Sequence, residues 1–399
     1  FYIFVNINGV NTFTPPPRAE QAAILIDNKV YFNGGWNGIF ASDFFYLDIS
    51  KPFTTDNIVW IDLSSIEGRI NRTASTACIG ANKNQIIYFS GGAVAVGENF
   101  TSIFDITTQK WSTPKTSRNF NAIERKFVQC ITSGNSIYIY GGFDDLFSIV
   151  KLDTSDSNFV WSIYYAGMIA PLGLMGYSAT LINNASILYI GGRLHFNSLV
   201  DLSYNSLDKL PMYNIDNNIW SLVVSYFLCS KVIPQFTLTF RNRSIQNEPP
   251  FFSFIALDTL KFTWSSPTIS TGGSQYQLVR FTSLLIGAYV LIAFGIDHKS
   301  GNFTNEIFLL DVSLKDNYKW STTFNPAKSL QSIPATTDIS STPTSNVLND
   351  SSSVNFGAII GGTFAGIAGL IIISAISVIM VKRYGHSPTF ISQEETSHQ

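Results

Sequence analysis

Few residues in this chain could do covalent or redox chemistry. Of its four histidines, only His195 and His298 fall within the strand-rich body. Imidazole suits copper, but two histidines far apart in sequence make a poor ligand set. No Gly-x-Ser-x-Gly elbow is present, so Ser-His-Asp hydrolysis has no visible nucleophile. Neither a phosphate-binding Gly-rich loop with its Lys nor a dinucleotide fingerprint occurs. Asp48, Asp105, Asp153, Asp258 and Asp311 recur once per repeat. That spacing suits residues that cap turns better than residues that gather round a metal. The commonest reactive pattern is the N-glycosylation sequon, present at Asn71, Asn99, Asn184, Asn242, Asn302 and Asn349.

Stepping outward, the elements around these residues repeat. Ile137-Tyr138-Ile139-Tyr140-Gly141-Gly142 is an apolar run ending in a glycine pair. Val30 to Gly35, Ile87 to Gly92 and Leu188 to Gly192 copy it, and Val290 to Gly295 keeps a worn version. Each copy is followed by an apolar run ending in Asp, or in Ile215 after Asn214 in the fourth, and then by a Trp. Trp60, Trp111, Trp161, Trp220, Trp264 and Trp320 lie 51, 50, 59, 44 and 56 residues apart. A short strand cannot bury its faces alone, so a series of them implies stacked copies. Four short strands per unit, repeated radially, describe a propeller. The expected fold is all-β: a six-bladed propeller over residues 15–326, with unit five degraded because Phe236 to Phe240 lacks a glycine pair.

The apolar strand, Gly-Gly, apolar-Asp strand and spaced Trp resemble kelch repeats. The Pro15-Pro16-Pro17-Arg18 opening and the run of copies resemble the galactose oxidase central domain. The resemblance implies a kelch-type propeller that binds a ligand on its loops. It also raises an alternative, a copper oxidoreductase on the same scaffold. That family holds copper with two His and two Tyr, one Tyr being joined to a Cys, and its ligand loops are not recognisable here. No cofactor is therefore expected. Arg18, Arg72 and Arg125 open the first strands without the His that often follows in kelch repeats.

Loops carry function on a rigid scaffold. The loops after second strands and those leading into first strands share one face of a propeller. Trp36, Phe143, Arg193 and His195 fall there and are the candidate ligand-binding residues. The recurrent Arg residues fit a structural role better, pairing with backbone carbonyls or acidic loops. Glycans at Asn71, Asn99, Asn242 and Asn302 would shield part of this face, near units two, five and six. Asn184 belongs to the opposite face.

Outside the propeller the composition changes. Residues 1–14 are a lead that reads as a signal-peptide remnant or a strand. Residues 327–355 are rich in Ser, Thr, Pro and Asn and read as a stalk, since they lack the apolar surface to order themselves. Residues 356–381 hold the charge-free run Gly357 to Val381, roughly 36 Å as helix, enough to cross a bilayer core of about 30 Å. Lys382 and Arg383 then place the tail, 382–399, in the cytoplasm and the propeller outside or in a lumen. Gly357, Gly361, Gly362 and Gly366 would let two such helices approach closely, so a homodimer is considered. Net charge is -2 with scattered basic residues, which excludes a nucleic-acid partner. A protein or glycan ligand is expected.

Cys78, Cys130 and Cys229 are the cysteines. Cys78 and Cys130 hold similar places in consecutive repeats. Two readings stand: a bridge between them, or two buried free thiols.

Overall fold

The computed structural model describes residues 13–80, 86–92, 101–113, 125–142, 148–155, 161–165, 170–171, 173–194, 205–227, 255–270, 278–314 and 317–329. The chain divides into two units, Phe1–Ala335 and Thr336–Gln399, and the second lies outside the described residues.

The first blade shows how the repeat folds. Ala22–Ile26 and Lys29–Asn33 form a hairpin, Phe44–Asp48 adds to its far side, and Trp60–Asp62 completes the antiparallel sheet. Asp27 makes the hairpin turn with φ 52°, a conformation that Asp tolerates better than most residues. The second blade uses Thr76–Ile79, Ile86–Ser90, Thr101–Asp105 and Lys110–Ser112 in the same order. The third uses Cys130–Ser133, Ser136–Tyr140, Ser148–Asp153 and Trp161–Tyr165. The fourth uses Ser178–Ile182, Ser186–Ile190, Lys209–Asn214 and Ile219–Val224. Its second and third strands pair only as far as Met212. The next residue along the ladder is Pro211, which has no N–H to give. The closing blade uses Thr282–Ile286, Tyr289–Ala293, Ile307–Asp311 and Asn317–Ser321.

The fold is therefore an all-β, kelch-type propeller, but the blade count differs from expectation. The Trp spacing gives six units. Five blades are formed among the described residues, four of them four-stranded and the closing one extended to five strands by Thr268–Ser270, which pairs in parallel with Asn317–Ser321. Among the described residues, the unit that lost its glycine pair contributes Ala256–Asp258 and Thr263–Ser265, with Tyr226–Phe227 added in parallel. The expected strand Phe236 to Phe240 lies outside the described residues.

First strands of consecutive blades touch, running from the closing blade through the first to the fourth. Aromatic rings fill the space between blades. Trp111 packs on Phe44 of the first blade at 5.0 Å, and Trp220 on Tyr140 of the third at 4.6 Å. Trp60 meets Phe294 of the closing blade at 5.9 Å, inside a cluster shared by the two ends of the ring. Thr323–Phe324 then pairs with Phe53–Thr54, and Phe324 stacks on Phe53 at 5.1 Å. This two-stranded ribbon is separate from the blade sheets and joins the end of the closing blade to the loop between the third and fourth strands of the first.

The two cysteines are bridged. Cys78 and Cys130 sit on the first strands of the second and third blades, with Cα atoms 6.1 Å apart. Thr76 Oγ1 accepts the Cys130 N–H at 3.0 Å, and Thr132 Oγ1 donates to the Ile79 carbonyl at 2.8 Å.

Among the described residues no helix is long and apolar enough to cross a membrane. The expected span at 356–381 lies outside them. The one described helix, Pro326–Ser329, carries Lys328, which pairs with Asp311 of the closing blade.

Candidate functional site on the loop face

The loop face begins with the recurrent arginines. Arg18 donates from Nη1 to the Gly34 carbonyl at 3.1 Å and from Nη2 to Asp43 Oδ2 at 2.5 Å. Arg72 donates to the Gly91 carbonyl at 2.7 Å and to Ser102 Oγ at 3.1 Å. Arg125 donates to the Gly141 carbonyl at 2.8 Å and to Ser148 Oγ at 2.7 Å. Each reaches the first glycine of its own blade's pair, and all three are buried. They hold strand ends together and are not exposed to a ligand.

The glycines serve a second purpose. A Cβ at Gly34 would lie 2.2 Å from the Arg72 carbonyl oxygen, and one at Gly91 would lie 2.2 Å from that of Arg125. The lead-in to each next blade thus crosses over the glycine of the blade before it. Gly35 N–H donates to that same Arg72 carbonyl at 2.7 Å.

Two residues after each arginine position the chain turns through a left-handed residue. These are Glu20, Ala74, Phe127, Gly176 and Arg280, with φ between 51° and 64°. Their backbones form a hydrogen-bonded series round the axis. Gly176 donates to Phe127, Phe127 to Ala74, Ala74 to Glu20, and Glu20 to Arg280, at 2.7 to 3.1 Å. Glu20 also takes Arg280 Nη1 at 2.6 Å and the Thr73 hydroxyl at 2.8 Å. This axial rim surrounds a cavity of about 140 Å³. Only Glu20, Ala74 and Phe127 stand two residues after an arginine, whereas Gly176 follows Leu174 and Arg280 follows Leu278, so no common motif marks the rim in the sequence.

Tyr177 lines the same mouth and donates to the Tyr140 carbonyl at 2.7 Å. Burial drives its hydroxyl well above the ordinary phenol range. It stays a protonated donor at any ordinary pH.

The recurrent aspartates cap turns. Asp48 accepts the Ser50 N–H at 2.8 Å, Asp105 that of Thr107 at 2.8 Å, and Asp153 that of Ser155 at 2.9 Å. Asp258 and Asp311 repeat the contact with Leu260 and Ser313. In the fourth blade Asn214 takes the same place.

Of the candidate ligand residues, Trp36 is half-buried and bridges Ala19 and Phe40 through its backbone. Its ring meets Phe303 of the closing blade edge-on at 5.2 Å. Arg193 is buried, on the two-residue strand Arg193–Leu194 paired with Leu174–Met175. Phe143 and His195 lie outside the described residues, so Trp36 and Arg193 are the two that can be placed. Asn71 and Asn302 are exposed on the loop face, and Asn184 is exposed in the opposite hairpin turn. Asn99, Asn242 and Asn349 lie outside the described residues, as do Gly357, Gly361, Gly362 and Gly366. Next to Trp36, Ile39 is 73% exposed and Phe40 43%.

The blades and this face define a kelch-type propeller, and comparison with known proteins agrees. The chain is similar to Kelch domain-containing protein 3 of Rattus norvegicus, 27% identical over 195 residues. That match covers 45% of this chain and 49% of the relative. The Homo sapiens protein of that name is 26% identical over the same shares. The Bos taurus one is 28% identical over 157 residues, covering 35% of this chain and 40% of its own. The chain thus spans about half the length, or less, of the curated relatives it matches. The solved structure of YjhT shares the fold at a TM-score of 0.50 and 13% identity, covering 78% of this chain and 98% of that one. No family model matches the chain.

Proposed function

We propose that this propeller is a non-catalytic binding module that holds a protein partner on its loop face, centred on the first blade. The observation that carries the reading is the loop from Trp36 to Ala41. Ile39 and Phe40 project from it into solvent beside the Trp36–Phe303 pair. Clustered exposed apolar side chains of this kind mark interaction sites more often than isolated ones do. Similarity to kelch-domain proteins supports the same class of function.

The module works outside the cell or in the lumen of the secretory pathway, tethered by residues 356–381 with the tail in the cytoplasm. The Cys78–Cys130 bridge supports an oxidising compartment. Asn71 and Asn302 flank the apolar loop: Asn71 adjoins Arg72, whose carbonyl takes the Gly35 N–H, and Asn302 adjoins Phe303. Glycans on the two would frame the loop and leave its tip open. A glycan ligand or bound copper would be a competing outcome. The test is capture from a cell-surface protein panel by the full chain and by its Ile39→Asp/Phe40→Asp variant. Capture lost in the variant supports the reading. Equal capture by both, selective binding to a glycan panel instead, or stoichiometric copper would overturn it.

A further inference from the structure

The axial cavity is separate in chemistry from the apolar loop. Gln21 lines it and is only 5% exposed, yet neither Nε2 nor Oε1 has a hydrogen-bond partner among the described residues. The Ser75 hydroxyl lines it in the same condition. An unanswered buried polar group is destabilising, so two of them on one cavity wall point to something that answers them.

We infer that the axial cavity receives a neutral carboxamide, either the side chain of a partner's Asn or Gln or a free small amide. The Gln21 amide has almost no accessible surface in this structure, so a ligand meets it by a turn of the side chain toward the cavity, where its donor and acceptor are the complement of another carboxamide. Ser75 can serve either role. The cavity's two charged residues, Glu20 and Arg280, are paired with each other at 2.6 Å. A charged ligand would therefore lose its water without gaining a counter-ion. Phe127 and Phe281 supply apolar wall for the methylene part of the ligand. A dry cavity of roughly 150 Å³ can hold benzene, so a side chain of four or five heavy atoms fits here. Where the carboxamide belongs to a partner, the inference rests on the docking face above. Where it is a free amide, it stands without it.

The experiment titrates the full chain with acetamide and with Nα-acetylglutamine methylamide. Acetate and Nα-acetylnorleucine methylamide are the charged and apolar controls. Both amides are expected to bind at least tenfold more tightly than either control. Equal binding of the two amides assigns the site to small amides, and stronger binding of the capped glutamine assigns it to a partner side chain. Gln21→Leu is expected to weaken amide binding at least tenfold while leaving the melting temperature unchanged or higher. Ser75→Ala gives a second, smaller loss. Acetate binding as well as acetamide, or amide binding untouched in both variants, overturns the inference. A chain that captures its protein partner but ignores every amide probe also overturns it, while leaving the docking face standing.

Discussion

Arg72 donates from Nη1 to the carbonyl of Gly91 at 2.7 Å, entirely within the protein. The same residue's own carbonyl lies over Gly34 of the preceding blade. One residue thus ties its own blade's strand end and closes on its neighbour. Replacing Arg72 with Met leaves the Gly91 carbonyl and Ser102 hydroxyl without that donor. The expected loss is about 3 kcal/mol, the scale for charged buried hydrogen bonds, measured by urea unfolding.

The glycine crossing gives a paired prediction. Gly91→Ala puts a methyl 2.2 Å from the Arg125 carbonyl oxygen, and backbone must move to admit it. Gly134→Ala adds a methyl with nothing within 4 Å, so only its left-handed φ of 56° counts. The second should cost about 1 kcal/mol and the first clearly more, by the same unfolding assay.

The disulfide closes a loop with a sequence separation of 52. Loop-closure entropy gives it roughly 4 kcal/mol of stabilisation. Cys78→Ser/Cys130→Ser should therefore unfold at a markedly lower temperature than the parent. Thiol labelling of the unfolded, unreduced parent should find Cys78 and Cys130 blocked.

Acid should loosen specific turns. The Ser50 hydrogen bonds hold the Asp48 carboxyl below its ordinary value, and the Ser155 bonds do so for Asp153. A depressed folded value means stabilisation that is complete above the unfolded carboxylate range, near 3.9. It is lost as pH falls through the lower folded value. The Ser50 and Ser155 amide resonances should titrate with midpoints below that of an ordinary Asp carboxyl. The Asp216 amide, held by Asn214, has no such proton in its cap.

Much of this fold was legible in the sequence, for a physical reason. Blade strands must be short, apolar and followed by a residue that accepts a close crossing, so Val30–Gly35 and its copies announce themselves. Trp60, Trp111 and Trp220 mark outer strands because each ring packs its own blade onto the one before it. The axial rim was not legible. Glu20, Ala74, Phe127 and Arg280 are not residue types that favour positive φ, and the surrounding ring imposes it on them. For that reason the first strands of the second and third blades begin only after these residues, at Thr76 and Cys130. The disulfide stayed open because spacing alone cannot bring two cysteines within 6.1 Å. At the candidate site, Trp36 could be picked out as a loop aromatic. Burial of Arg193 depends on the strand pairing of Met175 with it, which no local pattern reveals.

The central claim is that a protein partner docks on the loop face of the first blade. Photo-crosslinking in the full chain on cells tests it most directly. One probe replaces Ile39, at the tip of the exposed loop, and another replaces Tyr165, 82% exposed on the third blade's outer strand. Docking on the first-blade loop yields a discrete crosslinked protein from position 39 and none from position 165. Crosslinks from 165 alone, or none from 39 while the partner is bound, would contradict it.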